Sequence, residues 1–200
     1  MLLELQDAQL VLVDYQAKLM PVIHESASVM ANGLRLAQMA QLLRVPTWGT
    51  EQNPERLGPN PEPLRNLCRE TLSKMSFSAC AEGLVESLRP MAKAPQGNAR
   101  SLPKHLQKAV PQSPNRNSVV IAGCEAHVCL LQTALELLEE EFDVWVVTDA
   151  CGSRSERNRD AAFDRLASAG AELLTTEMVA FEWLRSAEHP QFKAVQALIK

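Results

Sequence analysis

The chain lacks several features that would assign it a function at once. It has no run approaching the ~18 consecutive apolar residues that span a bilayer, which removes a membrane helix from the readings. Its N-terminus, Met-Leu-Leu-Glu-Leu-Gln-Asp, has no basic flank, apolar core or small-residue cleavage site, so a cytoplasmic protein is expected. No long basic block interrupts a net charge of -4, so no electrostatic footprint for nucleic acid is present. Neither Gly-x-Gly-x-x-Gly nor Gly-x4-Gly-Lys-Ser/Thr occurs, which deprives a dinucleotide or nucleotide cradle of its glycines. A Gly-x-Ser-x-Gly elbow is also missing. The four histidines stand singly, without His-x3-His or Cys-x2-Cys, so no metal and no cofactor are expected. Five cysteines, an odd number without paired spacing, fit free thiols better than a disulfide framework.

What is present is an alternation of strands and helices. Ala8 to Val13 is an apolar run too short for a helix, and it ends at Asp14. Ser26 to Leu43 carries apolar residues at helical spacing and is stopped by Arg44-Val-Pro46. Pro46 to Thr50 reads as a second strand, followed by a segment from Glu51 to Pro63 whose four prolines and one glycine require an irregular path. A weak helical signal covers Leu64 to Glu70, and Thr71 to Phe77 alternates loosely around Lys74. Gly83 to Ala92 reads as a helix. Pro95 to Asn117 is polar and proline-rich, which predicts an inserted mobile excursion with one short helix around Lys104 to Val110. Beyond it come a strand at Ser118 to Ala122, a helix from Ala126 to Glu140, and a strand at Val144 to Thr148 ending at Asp149. A helix at Arg159 to Ser168 closed by Gly170, a strand at Ala171 to Thr175, and helices at Glu177 to Ala187 and Phe192 to Ile199 complete the chain.

Near-continuous apolar strands alternating with helices predict an α/β fold: a Rossmann-like three-layer sandwich of about six mostly parallel strands with helices on both faces. With 46% hydrophobic residues and no long Gly/Ser linker, residues 1–200 are expected to form a single domain. Ligands of such sheets bind at the carboxyl ends of strands, and Asp14, Lys74 and the segment leading to Cys129 all lie there.

Gly123-Cys-Glu-Ala-His-Val-Cys129 carries a strand through a turn into a helix. A cysteine in a first helical turn is either a buried packing side chain or, among unpaired N–H groups and the positive end of the dipole, a thiolate nucleophile. A carboxylate, an amine and a thiol suffice for acyl transfer. Asp14 could accept the thiol proton and return it to a leaving group, while Lys74 stabilises the thiolate. Taken singly, Asp14 also fits a turn residue and Lys74 a solvated lysine.

Four stretches together resemble the successive signatures of the isochorismatase-like cysteine hydrolases. They are Val11-Leu-Val-Asp-Tyr-Gln16, the Leu-Ser-Lys-Met-Ser-Phe-Ser segment around Lys74, Ala122-Gly-Cys-Glu-Ala-His-Val-Cys-Leu-Leu-Gln-Thr-Ala134, and Val146-Val-Thr-Asp-Ala150. Thr50-Glu-Gln-Asn-Pro, Asp149-Ala-Cys-Gly-Ser-Arg154 and His189-Pro-Gln-Phe-Lys193 are similar to the isochorismatase-domain-containing branch. The resemblance implies a catalytic triad of Asp14, Lys74 and Cys129. It also implies a cis peptide at Cys124–Glu125 and an oxyanion hole made by the backbone N–H groups of Glu125 and Cys129. Tyr15, Gln16, Glu51, Gln52 and His127 are candidate pocket residues.

Family nicotinamidases hold a metal through an Asp and several His after the second strand, but Glu51 to Gly58 contains no histidine, so nicotinamide is not the expected substrate. Members that cleave the isochorismate vinyl ether lack the cysteine that is present here as Cys129. The reading is a metal-independent cysteine hydrolase of amidohydrolase type, acting on a small amide or related acyl compound, and a homo-oligomer as the family commonly is. It predicts fast alkylation of Cys129 below the free-thiol value of about 8.5. Two rival readings stand beside it: a catalytically idle domain used as an interaction module, and a redox sensor in which Cys124 resolves an oxidised Cys129.

Overall fold

The computed structural model describes residues 1–89 and 116–200. Six strands form one all-parallel sheet in the order β3-β2-β1-β4-β5-β6, with β1 Ala8–Val13, β2 Thr47–Gln52, β3 Glu70–Lys74, β4 Ser118–Gly123, β5 Asp143–Val147 and β6 Glu172–Leu174. This is the doubly wound order expected of a Rossmann-like sheet, and its direction reverses between β1 and β4. Every residue of β1 and β4 is buried, which is why those two strands, apart from Gln9 and Ser118 near their starts, read as apolar runs rather than alternating ones.

The helices are α1 Ser26–Leu43, α2 Pro54–Leu57, α3 Glu62–Arg65, α4 Leu84–Leu88, α5 Leu131–Glu139, α6 Glu156–Ser168, α7 Thr176–Leu184 and α8 Phe192–Ile199. They pack in two groups: α1 meets α3, α7 and α8, whereas α5 meets α6. Right-handed crossovers put these groups on opposite faces of the sheet, because the chain moves one way from β1 to β3 and the other from β4 to β6. The core between the layers includes Leu10, Leu12, Leu36, Met39, Ile121, Leu130, Leu137 and Trp183, each almost fully buried. Fully burying one such aliphatic side chain contributes about 1.5–3 kcal/mol. Among the described residues, no helix is long and apolar enough to cross a membrane.

Element ends shift where a neighbour or a cap decides them. β2 runs two residues past its expected end because Glu51 and Gln52 pair with Ser73 and Lys74 of β3, so the irregular segment begins only at Asn53, at φ 39°. α6 starts earlier than expected, at Glu156, since the Ser155 hydroxyl accepts from the Asn158 N–H. Thr175 caps α7 in the same way through Met178 and so leaves β6. α7 stops at Leu184, followed by Arg185 at φ 60°. Of the expected 83–92 helix, α4 covers Leu84–Leu88 and residues 90–92 lie outside the described residues, as do the excursion at 95–117, except Arg116 and Asn117, and its short helix.

Candidate active site

The site is assembled at the carboxyl edge of the sheet, where β1, β2, β3 and β4 end. Val13 is level with Thr50 of β2 and Gly123 of β4, and Gln52 is level with Lys74 of β3. At the end of β1 the backbone turns sharply, with Asp14 at φ 51° in the left-handed region that Asp tolerates better than most residues. Gly123 is at φ 148°, and a Cβ there would collide with the Val13 carbonyl, so only glycine lets β4 run this close to β1. The following Cys124–Glu125 peptide is cis.

The expected α-helix from Ala126 begins instead with a π-helical turn, Ala126–Leu130, before α5. In that turn the Glu125 carbonyl accepts from the Val128 N–H at 3.0 Å and the Leu130 N–H at 3.3 Å. The Glu125 N–H donates to no described residue. Cys129 is 6% exposed, at the start of the helical segment.

Asp14 and Lys74 meet with both side chains fully buried, Nζ to Oδ2 at 2.8 Å. The other Asp14 oxygen accepts from the Thr50 hydroxyl at 2.7 Å. Lys74 Nζ also donates to Gln52 Oε1 at 2.7 Å and to the Phe77 and Ser76 carbonyls at 3.0 and 3.4 Å. Gln52 Oε1 lies 3.9 Å from Cys129 Sγ, so one amide oxygen touches both the ammonium and the thiol. A buried ion pair keeps its geometry only when its remaining donors and acceptors are satisfied, and here neutral groups satisfy them.

Burial pushes the Cys129 thiol up to about 12, with the Asp14 carboxylate raising it further and Lys74 lowering it. Burial therefore works against the resting thiolate expected from the helix N-terminus.

The candidate pocket residues separate. Gln52 is at the site. Gln16 is fully buried and holds the loop after β2, donating to the Gln52 and Gly58 carbonyls and accepting from the Gln52 N–H. Glu51 is likewise engaged with the Asn60 N–H and Arg65. Tyr15 lies against α1, where a Cβ on Gly33 would meet its ring at 2.6 Å, and its hydroxyl donates to the Ala150 carbonyl. It is therefore a core residue and not part of a pocket wall. His127 pairs with Ser153 at 2.9 Å and Asn158 at 3.4 Å, facing α6.

Thr50 and the carbonyls of Ser76 and Phe77 are contributors that sequence reasoning missed. Only the β1–β2 register, which places Thr50 level with Val13 and so beside Asp14, could have indicated Thr50. Among the described residues, no group of three His, Cys, Asp or Glu side chains is gathered closely enough to hold a metal ion.

Comparison with known proteins decides the family. The isochorismatase domain model matches residues 8–178. This chain belongs to the isochorismatase family. Human isochorismatase domain-containing protein 2 is 36% identical over 191 residues, covering 96% of this chain and 82% of the human one. Among solved structures, the MAR1 ribonuclease from Caenorhabditis elegans superposes with a TM-score of 0.83 at 30% identity, covering 100% of this chain and 92% of that one. The YcaC gene product from Escherichia coli, described as an octameric hydrolase of unknown specificity, gives a TM-score of 0.81 at 28% identity, covering 98% of this chain and 87% of that one.

Proposed function

We propose that this isochorismatase-family chain is a metal-independent cysteine hydrolase that cleaves a small amide or related acyl compound through a thioester. The observation that carries the reading is the fully buried Lys74–Asp14 pair linked through Gln52 Oε1 to the Cys129 thiol. Asp14 takes the thiol proton as Sγ bonds to the substrate carbonyl carbon, and the carbonyl π electrons move to oxygen. The N–H groups of Glu125 and Cys129 hold that oxyanion, a role supported by the Glu125 N–H having no partner among the described residues. Collapse breaks the bond to nitrogen, and Asp14 delivers the proton to the departing amine. A water deprotonated by Asp14 then attacks the thioester, releasing the acid and restoring the thiol.

Lys74 fixes the Asp14 carboxylate at 2.8 Å, where it can act as a base on a thiol whose proton affinity burial raises. A ribonuclease-like activity, as the nematode relative's name states for that protein, is not favoured here by the net charge of -4. The redox reading loses its resolving thiol, because Cys124 is fully buried with its sulfur 3.7 Å from that of Met20. An octameric relative and the exposed apolar residues Leu2, Met178 and Phe181 support a homo-oligomer. Light scattering on the purified protein tests that directly.

The activity is tested by intact-mass screening of pooled small metabolites against the Asp14→Asn variant. An added acyl mass that maps to Cys129 and is absent from Cys129→Ala supports the mechanism. An acyl mass on another residue, or undiminished turnover by Cys129→Ala, overturns it.

A further inference from the structure

Lys74 ends β3, and the residues that follow it stay within reach of the site. Its ammonium turns back to the Phe77 and Ser76 carbonyls, so the segment that leaves the strand also supplies two of the acceptors that hold its head group. The outer side of the same segment is gathered onto one oxygen. Glu82 Oε1 accepts from the Met75 N–H at 3.2 Å, the Ser76 N–H at 3.0 Å and the Ser76 hydroxyl at 2.9 Å.

Two more bonds tie the segment to the helix that carries the thiol. The Ala79 N–H donates to Thr133 Oγ1 at 3.0 Å, and the Ser78 hydroxyl to Glu136 Oε2 at 2.6 Å. Thr133 is one helical turn beyond Cys129. Apolar burial does not hold this segment in place, since Met75 is 67% exposed and Phe77 53% exposed. Its path depends on hydrogen bonds, and three of them end on one carboxylate.

We infer that Glu82 is a positioning residue for the acid–amine–thiol site: it fixes the 75–77 backbone whose carbonyls aim the Lys74 ammonium at Asp14 and Gln52. The inference rests on the reading under Proposed function, and nothing in that reading assigns a role to Glu82. A carboxylate accepts backbone N–H bonds more strongly than a neutral oxygen, but it is the acceptor's position rather than its charge that sets the path of the segment. An amide at this position keeps an acceptor in the same place, so Glu82→Gln should rescue what Glu82→Ala loses.

The readout is the pH profile of Cys129 alkylation by iodoacetamide, quantified by mass on the Cys129 peptide, with thermal unfolding measured beside it. Loosening Lys74 removes its help to the thiolate, so Glu82→Ala should move the profile to higher pH. Thiolate fraction and nucleophilicity partly offset each other, which makes the loss about threefold to fourfold in rate for each unit of displacement. Ser76→Ala, which removes one of the three donors, should move the profile the same way by less, and Glu82→Gln should stay within about twofold of wild type. A profile unmoved in Glu82→Ala, even with a lower melting temperature, overturns the inference, as does a Glu82→Gln variant as impaired as Glu82→Ala. Lys74→Met is run in parallel to separate the two claims. If it also leaves the profile in place, the site reading itself fails; if it moves the profile and Glu82→Ala does not, only the role of Glu82 fails.

Discussion

At the N-terminal ends of β1 and β4, Gln9 and Arg116 direct their donors at backbone carbonyls; at the carboxyl edge of the sheet, Lys74 at the end of β3 directs its ammonium at the Asp14 carboxylate that follows β1. Gln9 is 3% exposed and donates to the Leu88 and Arg116 carbonyls while accepting from the Trp48 indole N–H. Arg116 donates to the Leu5 and Ala8 carbonyls, and both Asp7 oxygens accept from the Asn117 and Ser118 backbone. These groups settle the peptide polarity that buried chain ends expose, and no nucleophile stands among them. The opposite edge contains a fully buried ion pair, with the Cys129 sulfur 3.9 Å from the Gln52 Oε1 that also holds the Lys74 ammonium. Both edges are polar, but the charges of Asp7 and Arg116 are half-buried and bond to backbone groups, whereas those of Asp14 and Lys74 are fully buried and meet each other.

The largest expected effect comes from breaking the charged edge. Lys74→Met leaves the Asp14 carboxylate buried without its cation, and removing one partner of a buried pair costs about 3–5 kcal/mol. Urea unfolding should register that loss. The double variant Asp14→Asn/Lys74→Met, which removes both charges, should recover most of it while remaining inactive. If Lys74→Met unfolds at the wild-type urea concentration, the pair is hydrated in solution and the contrast between the edges collapses.

The N-terminal edge should respond less. Gln9→Ala strands the Trp48 N–H and leaves two buried carbonyls short of a donor, at about 1–3 kcal/mol for an unsatisfied group. Its signature is the second half of the measurement: Cys129 alkylation should match wild type at every pH. A change in that profile would mean that the two ends of β1 are coupled through the strand.

The N-terminal edge was also the less legible one. β1 and β4 could be read because strands buried on both faces are continuous apolar runs, and Asp14 was visible as the charge that ends one of them. Lys74 and Cys129 stood out only beside sequence signatures, since a lone lysine or cysteine has no period. Gln9 breaks the β1 run with a polar residue whose partners are 79 and 107 positions away, and no local pattern encodes such pairings. Tyr15 follows Asp14 directly, but the left-handed turn at Asp14 ends the strand alternation, so adjacency did not reveal that its ring packs on Gly33. The π-helical turn was hidden for the same kind of reason. Ala126 to Leu130 has an ordinary helical composition, and the departure is set by how Glu125 follows β4.

The smallest effect is the most informative, because its sign differs between two neighbours at one edge. The Cys129 thiol is held up at about 12 by burial first and by Asp14 second, and Lys74 opposes them. Asp14→Asn removes a negative charge, so the thiolate becomes easier to form and alkylation at a fixed pH near 9 should rise, even though turnover is lost with the base. Lys74→Met removes the positive charge, so alkylation should fall. Each unit of displacement is worth about threefold to fourfold in rate, because a weaker base is also a weaker nucleophile. Opposite changes from two variants that both abolish hydrolysis cannot come from general unfolding, which would expose the thiol in either case. If Asp14→Asn instead slows alkylation, the resting proton is on the carboxylate rather than on sulfur, and Asp14 would then act first as an acid toward the leaving group.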